Sequence, residues 1–195
     1  MLKVGITGGI GSGKTTVCKV FEALNVPVYY SDQRAKDLMR NNPVLKRKLQ
    51  ETFGNSTYDH HGNLNSAYLA SIVFPDQHKL NTLNSIVHPF VLEDFSSWCI
   101  DHNKEKYVIL ESAIIFESGI ESLLDHIVIV EAPLEIRINR IIDRDKVNRD
   151  DVVQRMNTQL SSEEKINLSK LIIFNDGKLS LIDQVLSFHK GFSGL

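Results

Sequence analysis

Gly8-Gly9-Ile10-Gly11-Ser12-Gly13-Lys14-Thr15 obeys the spacing G-x-x-x-x-G-K-[ST] and comes directly after the apolar run Leu2-Lys3-Val4-Gly5-Ile6-Thr7. Glycines at these positions let successive backbone N–H groups turn inward, so that Gly11, Ser12 and Gly13 line a nest for phosphate oxygens at the positive end of the helix that follows. Lys14 is then expected to reach the β- and γ-phosphates, Thr16 to extend the cradle, and the Thr15 hydroxyl to serve as a ligand of Mg2+. Val17, Val20, Phe21 and Leu24 recur three or four apart and predict that helix, with its apolar face on a sheet. Strand, glycine loop and helix appear in the order a nucleoside triphosphate site requires, but the motif does not name the reaction.

Other residues add candidate chemistry. Asp32 follows the short run Pro27 to Tyr30, which places it just beyond a strand's carboxyl end, where doubly wound sheets bind ligands. It fits a base that accepts the proton of an attacking hydroxyl, and equally a helix N-cap. The stretch Arg137 to Arg149 carries five of the chain's 22 Lys and Arg residues. Arg140 and Arg144 are four apart, hence on one helical face, and suit a lid that neutralises charge on a transferring phosphoryl group; a salt-bridged surface reads the same way. Glu111 and Glu131, each ending an apolar run, compete as the acid that helps hold magnesium. His60-His61 lacks a partner at metal-ligand spacing, and His88-Pro89 reads as a helix start. Cys18 and Cys99 stand far apart and read as small core residues rather than a disulfide or zinc pair.

These residues need a frame to position them. The predicted order is a strand near 2 to 7, a helix near 14 to 24, a strand near 27 to 30, a helix over 32 to 40, and a helix from Pro43 to Gly54. Asn55 to Asn65 reads as a loop or hairpin turn, and Ser66 to His102 as helix interrupted at Pro75 and Pro89. Continuous apolar runs at 107–111, 127–130 and 171–174 are of the kind buried in parallel sheets. The expected fold is α/β, of the P-loop NTPase type: five parallel strands flanked by helices. The core would occupy 1–40 and 104–195, an inserted helical lobe about 41–103, and a lid about 139–150. The lobe is too long for one crossover helix and is the natural place for a second substrate.

The 195 residues suit such a domain, with 42% hydrophobic and 24% charged residues, as in ordinary folded chains. A net charge of -2 supplies no basic field for a polyanion, so no nucleic acid partner is expected. No apolar run approaches ~18 residues and no signal segment is evident, so no membrane partner is expected and a soluble, cytoplasmic protein is.

The chain resembles the dephospho-coenzyme A kinase family over nearly its whole length. Gly5-Ile6-Thr7-Gly8-Gly9-Ile10 through Val17 is similar to that family's opening signature. Asp32 matches the second acid of an Asp-Ala-Asp segment. Gly62-Asn63-Leu64, Val73-Phe74, His88-Pro89, Ile114-Ile115-Phe116-Glu117, Gln159 and the Asn175-x-Gly177 turn match recurring positions. Tyr30, Ala113 and Ser66 stand where relatives often carry Asp, Pro and Arg, and Ser169-Lys170 replaces a common Ala-Asp.

The resemblance implies ATP-dependent phosphorylation of the ribose 3'-hydroxyl of dephospho-coenzyme A; a monomer or small homo-oligomer is expected. It implies Asp32 as base, Arg140 and Arg144 as paired lid arginines, Asn175 and Gly177 at adenine, and His88 and Glu117 at the acceptor. Another small-molecule kinase would share the loop but need a different lobe. A GTP switch would need Asn-Lys-x-Asp, which Asn103-Lys104-Glu105-Lys106 lacks.

Overall fold

A computed structural model describes residues 1–194. Five strands, β1 (Leu2–Thr7), β2 (Val28–Tyr30), β3 (Tyr107–Glu111), β4 (His126–Glu131) and β5 (Leu171–Phe174), form one parallel sheet in the order β2-β3-β1-β4-β5. β1 is central: Ile6 stands opposite Glu111 of β3 on one side and Val128 of β4 on the other. Residues of β1, β3 and β4 such as Val4, Ile6, Ile109, Val128 and Val130 are fully buried, which is why these strands read as unbroken apolar runs.

Helix α1 (Lys14–Ala23) lays Val17, Cys18 and Phe21 on the sheet, completing a core that continues to Ile173 and Val185. Both cysteines are buried and not joined in a disulfide, as expected of core residues.

The chain divides into two compact units: residues 1–30 with 102–194, which hold the sheet, and Ser31–Asp101. The second unit contains α2 (Ser31–Asn41), α3 (Pro43–Phe53), α4 (Ser66–Val73) and α5 (Gln77–Asp101). α2, which the sequence reading left with the core, packs on α3 and α5. Arg34 of α2 grips Asp94 of α5 through two bonds of 2.7 and 2.9 Å. Asn42 caps α3 by accepting from Val44 and Leu45, with Pro43 in the first turn as its missing N–H allows. Asn55 to Asn65 forms a turn closed by the bridge of Tyr58 to Leu64.

Pro89 overturns one expectation. The helix breaks at Phe74 to Asp76 but runs through Pro89, so His88-Pro89 is not a helix start. Val87, Val91, Phe95 and Cys99 form a buried stripe that continues across the proline, and this packing outweighs the one backbone bond that proline removes.

After β3 come α6 (Ile115–Ser118), α7 (Leu134–Asp145), α8 (Arg149–Met156), α9 (Ser162–Leu168) and α10 (Leu181–Ser193). Pro133 and Glu135 open α7, as the residue types require, and a Ser161/Glu164 capping box opens α9. Among the described residues no helix is long and apolar enough to cross a membrane.

Candidate active site

The glycine loop runs from the carboxyl end of β1 into the first turn of α1. Gly13 sits at the helix entry with φ +93°, a left-handed conformation suited to glycine, and an added Cβ would run into the Asn175 side-chain amide. The loop closes on itself through Ser12 N to Gly9 O at 3.1 Å. Lys14 is buried, and its Nζ donates to the carbonyls of Gly8 and Gly9 at 3.0 and 3.4 Å. Thr15 and Thr16 are exposed in the first turn of α1. The hydroxyls of Thr7 and Ser12 are buried without a hydrogen-bond partner. Unsatisfied buried polar atoms are rare in native folds, and both here belong to the strand and loop that lead into the helix N-terminus.

Two residues remote in sequence converge on this loop. Arg140 points its guanidinium at the carbonyls of Gly11 and Ser12, 3.4 and 3.3 Å away, and at the main-chain and side-chain oxygens of Asn175, 3.1 and 3.3 Å away. Asn175 in turn donates its side-chain amide to Ser12 O at 2.9 Å, while its own N–H donates to Glu131 O at 2.7 Å. A cation, a carboxamide and the loop therefore form one cluster at the carboxyl edge of the sheet. Gly177 follows in the same turn at φ +79°.

Arg144 and Glu117 have other partners. Arg144 is exposed and pairs with Asp145 at 2.7 Å rather than with the loop. Glu117 accepts from Leu160 N at 2.9 Å and pairs with Lys165 at 3.2 Å. Asp32 is exposed in the first turn of α2, two residues past the end of β2. His88 lies on α5, half-buried, and that burial pushes its pKa below 6.5.

Glu111 closes β3, buried, and its charge helps to keep the Cys18 thiol protonated, second to burial itself. Among the described residues no three His, Cys, Asp or Glu side chains gather as a metal cage. The donor set, a hydroxyl on Thr15 with a carboxylate on Glu111, suits a magnesium ion shared with phosphate oxygens and water.

Sequence reasoning missed Arg137 and Lys165. Both are buried cations, and in a charge-rich stretch they read as solvent-facing. One signal was available for Arg137: it lies four residues before Ile141, on the buried face of α7 with Ile138.

The family model for dephospho-CoA kinase (CoaE) matches residues 2–180. The dephospho-CoA kinase of Bacteroides fragilis is 39% identical over 185 residues, covering 95% of this chain and 90% of its own length. That of Porphyromonas gingivalis is 40% identical over 170 residues, covering 87% and 82%. Among solved structures, TT1252 from Thermus thermophilus superposes with a TM-score of 0.84 at 30% identity, covering 97% of this chain and 96% of its own. The fold alone is shared with a shikimate kinase from Bacteroides thetaiotaomicron, at a TM-score of 0.55 and 14% identity over 100% and 99% of the two chains. Loop, arginine and carboxamide thus sit within a match that runs through both units, and the chain belongs to the dephospho-CoA kinase family.

Proposed function

We propose that the chain uses ATP to phosphorylate the ribose 3'-hydroxyl of dephospho-coenzyme A, the last step of coenzyme A synthesis, as its family membership entails. The observation that carries the reading is the convergence of Arg140 and Asn175 on the carbonyls of a phosphate loop, within a family match that also covers the helical unit.

The loop's N–H groups, Lys14 and the α1 N-terminus bind the triphosphate, and Arg140 stands ready to neutralise charge as the phosphoryl group moves. Asp32 orients the acceptor hydroxyl and takes its proton; its exposure and its position two residues past a parallel strand's carboxyl end support that role. Asn175 and Gly177 form the adenine side, Arg144 adds a nucleotide contact once its ion pair opens, and His88 and Glu117 belong to the acceptor side. Thr15, with Glu111 acting through water, would hold magnesium, which supplies charge neutralisation at the β- and γ-phosphate oxygens. In-line transfer then asks little of the protein beyond positioning and electrostatics. A cytoplasmic setting accords with substrates of this kind.

The test is incubation with ATP, magnesium and dephospho-coenzyme A, following by mass the gain of one phosphoryl group. Asp32→Asn is expected to lower kcat by roughly a hundredfold or more while ATP still binds, the range of a lost general base. Wild-type protein that binds ATP yet yields no coenzyme A would overturn the acceptor; an active Asp32→Asn would overturn the base.

A further inference from the structure

The crown of the phosphate loop is held by two side chains that the mechanism above does not use. Arg137, one turn before Arg140 on α7, is only 8% exposed. Its Nε donates to Ile10 O at 3.0 Å and a terminal nitrogen donates to Ser162 Oγ at 2.9 Å. The guanidinium packs so closely on Gly9 that a Cβ there would collide with it. From another direction, Gln159 Oε1 accepts the N–H of Ile10 at 3.2 Å. Both backbone groups of this one loop residue are therefore tied to side chains more than a hundred residues away.

The support behind them is itself anchored. Leu160, next to Gln159, donates its N–H to Glu117 Oε1 at 2.9 Å. Glu117 pairs with Lys165 at 3.2 Å, and Lys165, fully buried, donates to Ala113 O at 2.7 Å. Residues 159 to 165 thus form a fixed buttress between the loop and the chain after β3. Among the described residues, the hydrogen-bond partners of Arg137, a carbonyl and a hydroxyl, are neutral. Burial pushes its pKa down and the more distant Glu131 carboxylate opposes that, but a guanidinium keeps its proton. A buried cation without a direct counter-ion costs folding energy unless an anion compensates it. The anion this loop is suited to receive would lie against glycines of the same loop.

We propose that Arg137 and Gln159 are positioning residues of the transfer: they clamp the peptide groups of Ile10 so that the loop's N–H groups hold register for the triphosphate, and Arg137 places a fixed positive charge behind Gly9. The inference rests on the reading that this loop binds ATP.

Calorimetric titration of the full-length protein with magnesium-ATP, without acceptor, tests it on Arg137→Gln, Arg137→Lys and Gln159→Met. Arg137→Gln is expected to weaken ATP binding about tenfold, the scale of one charge-assisted hydrogen bond, and Arg137→Lys to recover much of that loss. Gln159→Met is expected to weaken it about threefold, and KM for dephospho-coenzyme A to stay within about twofold in every variant. Wild-type ATP affinity in the variants, even with a lowered melting temperature, would mean a purely structural role and overturn the clamp. Lysine performing no better than glutamine would overturn the part assigned to charge. Should Arg137→Gln fail to fold, Gln159→Met still decides the clamp. Because the titration contains no acceptor, a wrong acceptor assignment shows as missing coenzyme A in the turnover assay and leaves this result intact.

Discussion

Arg140 makes hydrogen bonds to three carbonyl-type oxygens of the main chain and one of a side chain, so its removal has two consequences. It deletes a cation beside the phosphate loop and removes the bridge it makes between that loop and Asn175, which keeps only its own bond to the loop, at Ser12 O. Arg140→Met is therefore expected to lower kcat by about a hundredfold, the usual effect of losing one preorganised charge, with a smaller rise in KM for ATP. Arg144→Met should differ in kind: its guanidinium pairs in solvent with Asp145, so its loss should appear in KM for ATP and scarcely in kcat. Steady-state kinetics over a range of ATP concentrations separates the two, and equal losses of kcat would refute the distinction. Lys14 and Thr15 could be singled out by the loop motif, Asp32 by a sheet-edge position that a helix N-cap fits equally, and Arg140 by its spacing from Arg144 and the resemblance to the family's lid arginines. Arg137 and Lys165 could not, because a buried cation and a solvated one are the same letter until tertiary contacts exclude water from one of them.

At the scale of elements, the strands were legible because continuous burial demands continuous apolar residues, and their boundaries shift by only a residue or so. Their lateral order was not, since pairing β1 with β3 and β4 depends on contacts roughly a hundred residues apart in the chain. Pro89 failed as a breaker for a related reason: local preference argued for a break, and the buried stripe of α5 overrode it. That same packing half-buries His88 and lowers its pKa from 6.5. As pH falls through 6.5 the unfolded chain takes up a proton on this residue before the folded one does, so folding loses stability in that window until the folded pKa is passed. Urea unfolding near neutral pH and again about a unit below 6.5 should show a decline in wild type that is shallower in His88→Asn. Identical pH slopes in the two proteins would remove His88 from the account.

For the molecule as a whole, the chain leaves β2 at Tyr30, builds the helical unit 31–101, and returns to the sheet at β3. The sheet-bearing unit owns the phosphate loop, Arg140 and Asn175; the helical unit owns Asp32 and His88. This division of residues predicts a division of labour, with ATP read by the first and dephospho-coenzyme A largely by the second. Amide hydrogen exchange can resolve it, because a bound ligand suppresses local opening where it binds. ATP alone is expected to slow exchange over 8–17, the first turns of α7 and the turn at 175–177, through the hydrogen bonds that tie these segments to one another. Dephospho-coenzyme A alone is expected to protect segments of 31–101 and to leave the loop nearly unchanged. Protection by the acceptor confined to the sheet-bearing unit would show that the helical insertion does not hold it, and Asp32 would then have to act on a substrate bound by other residues.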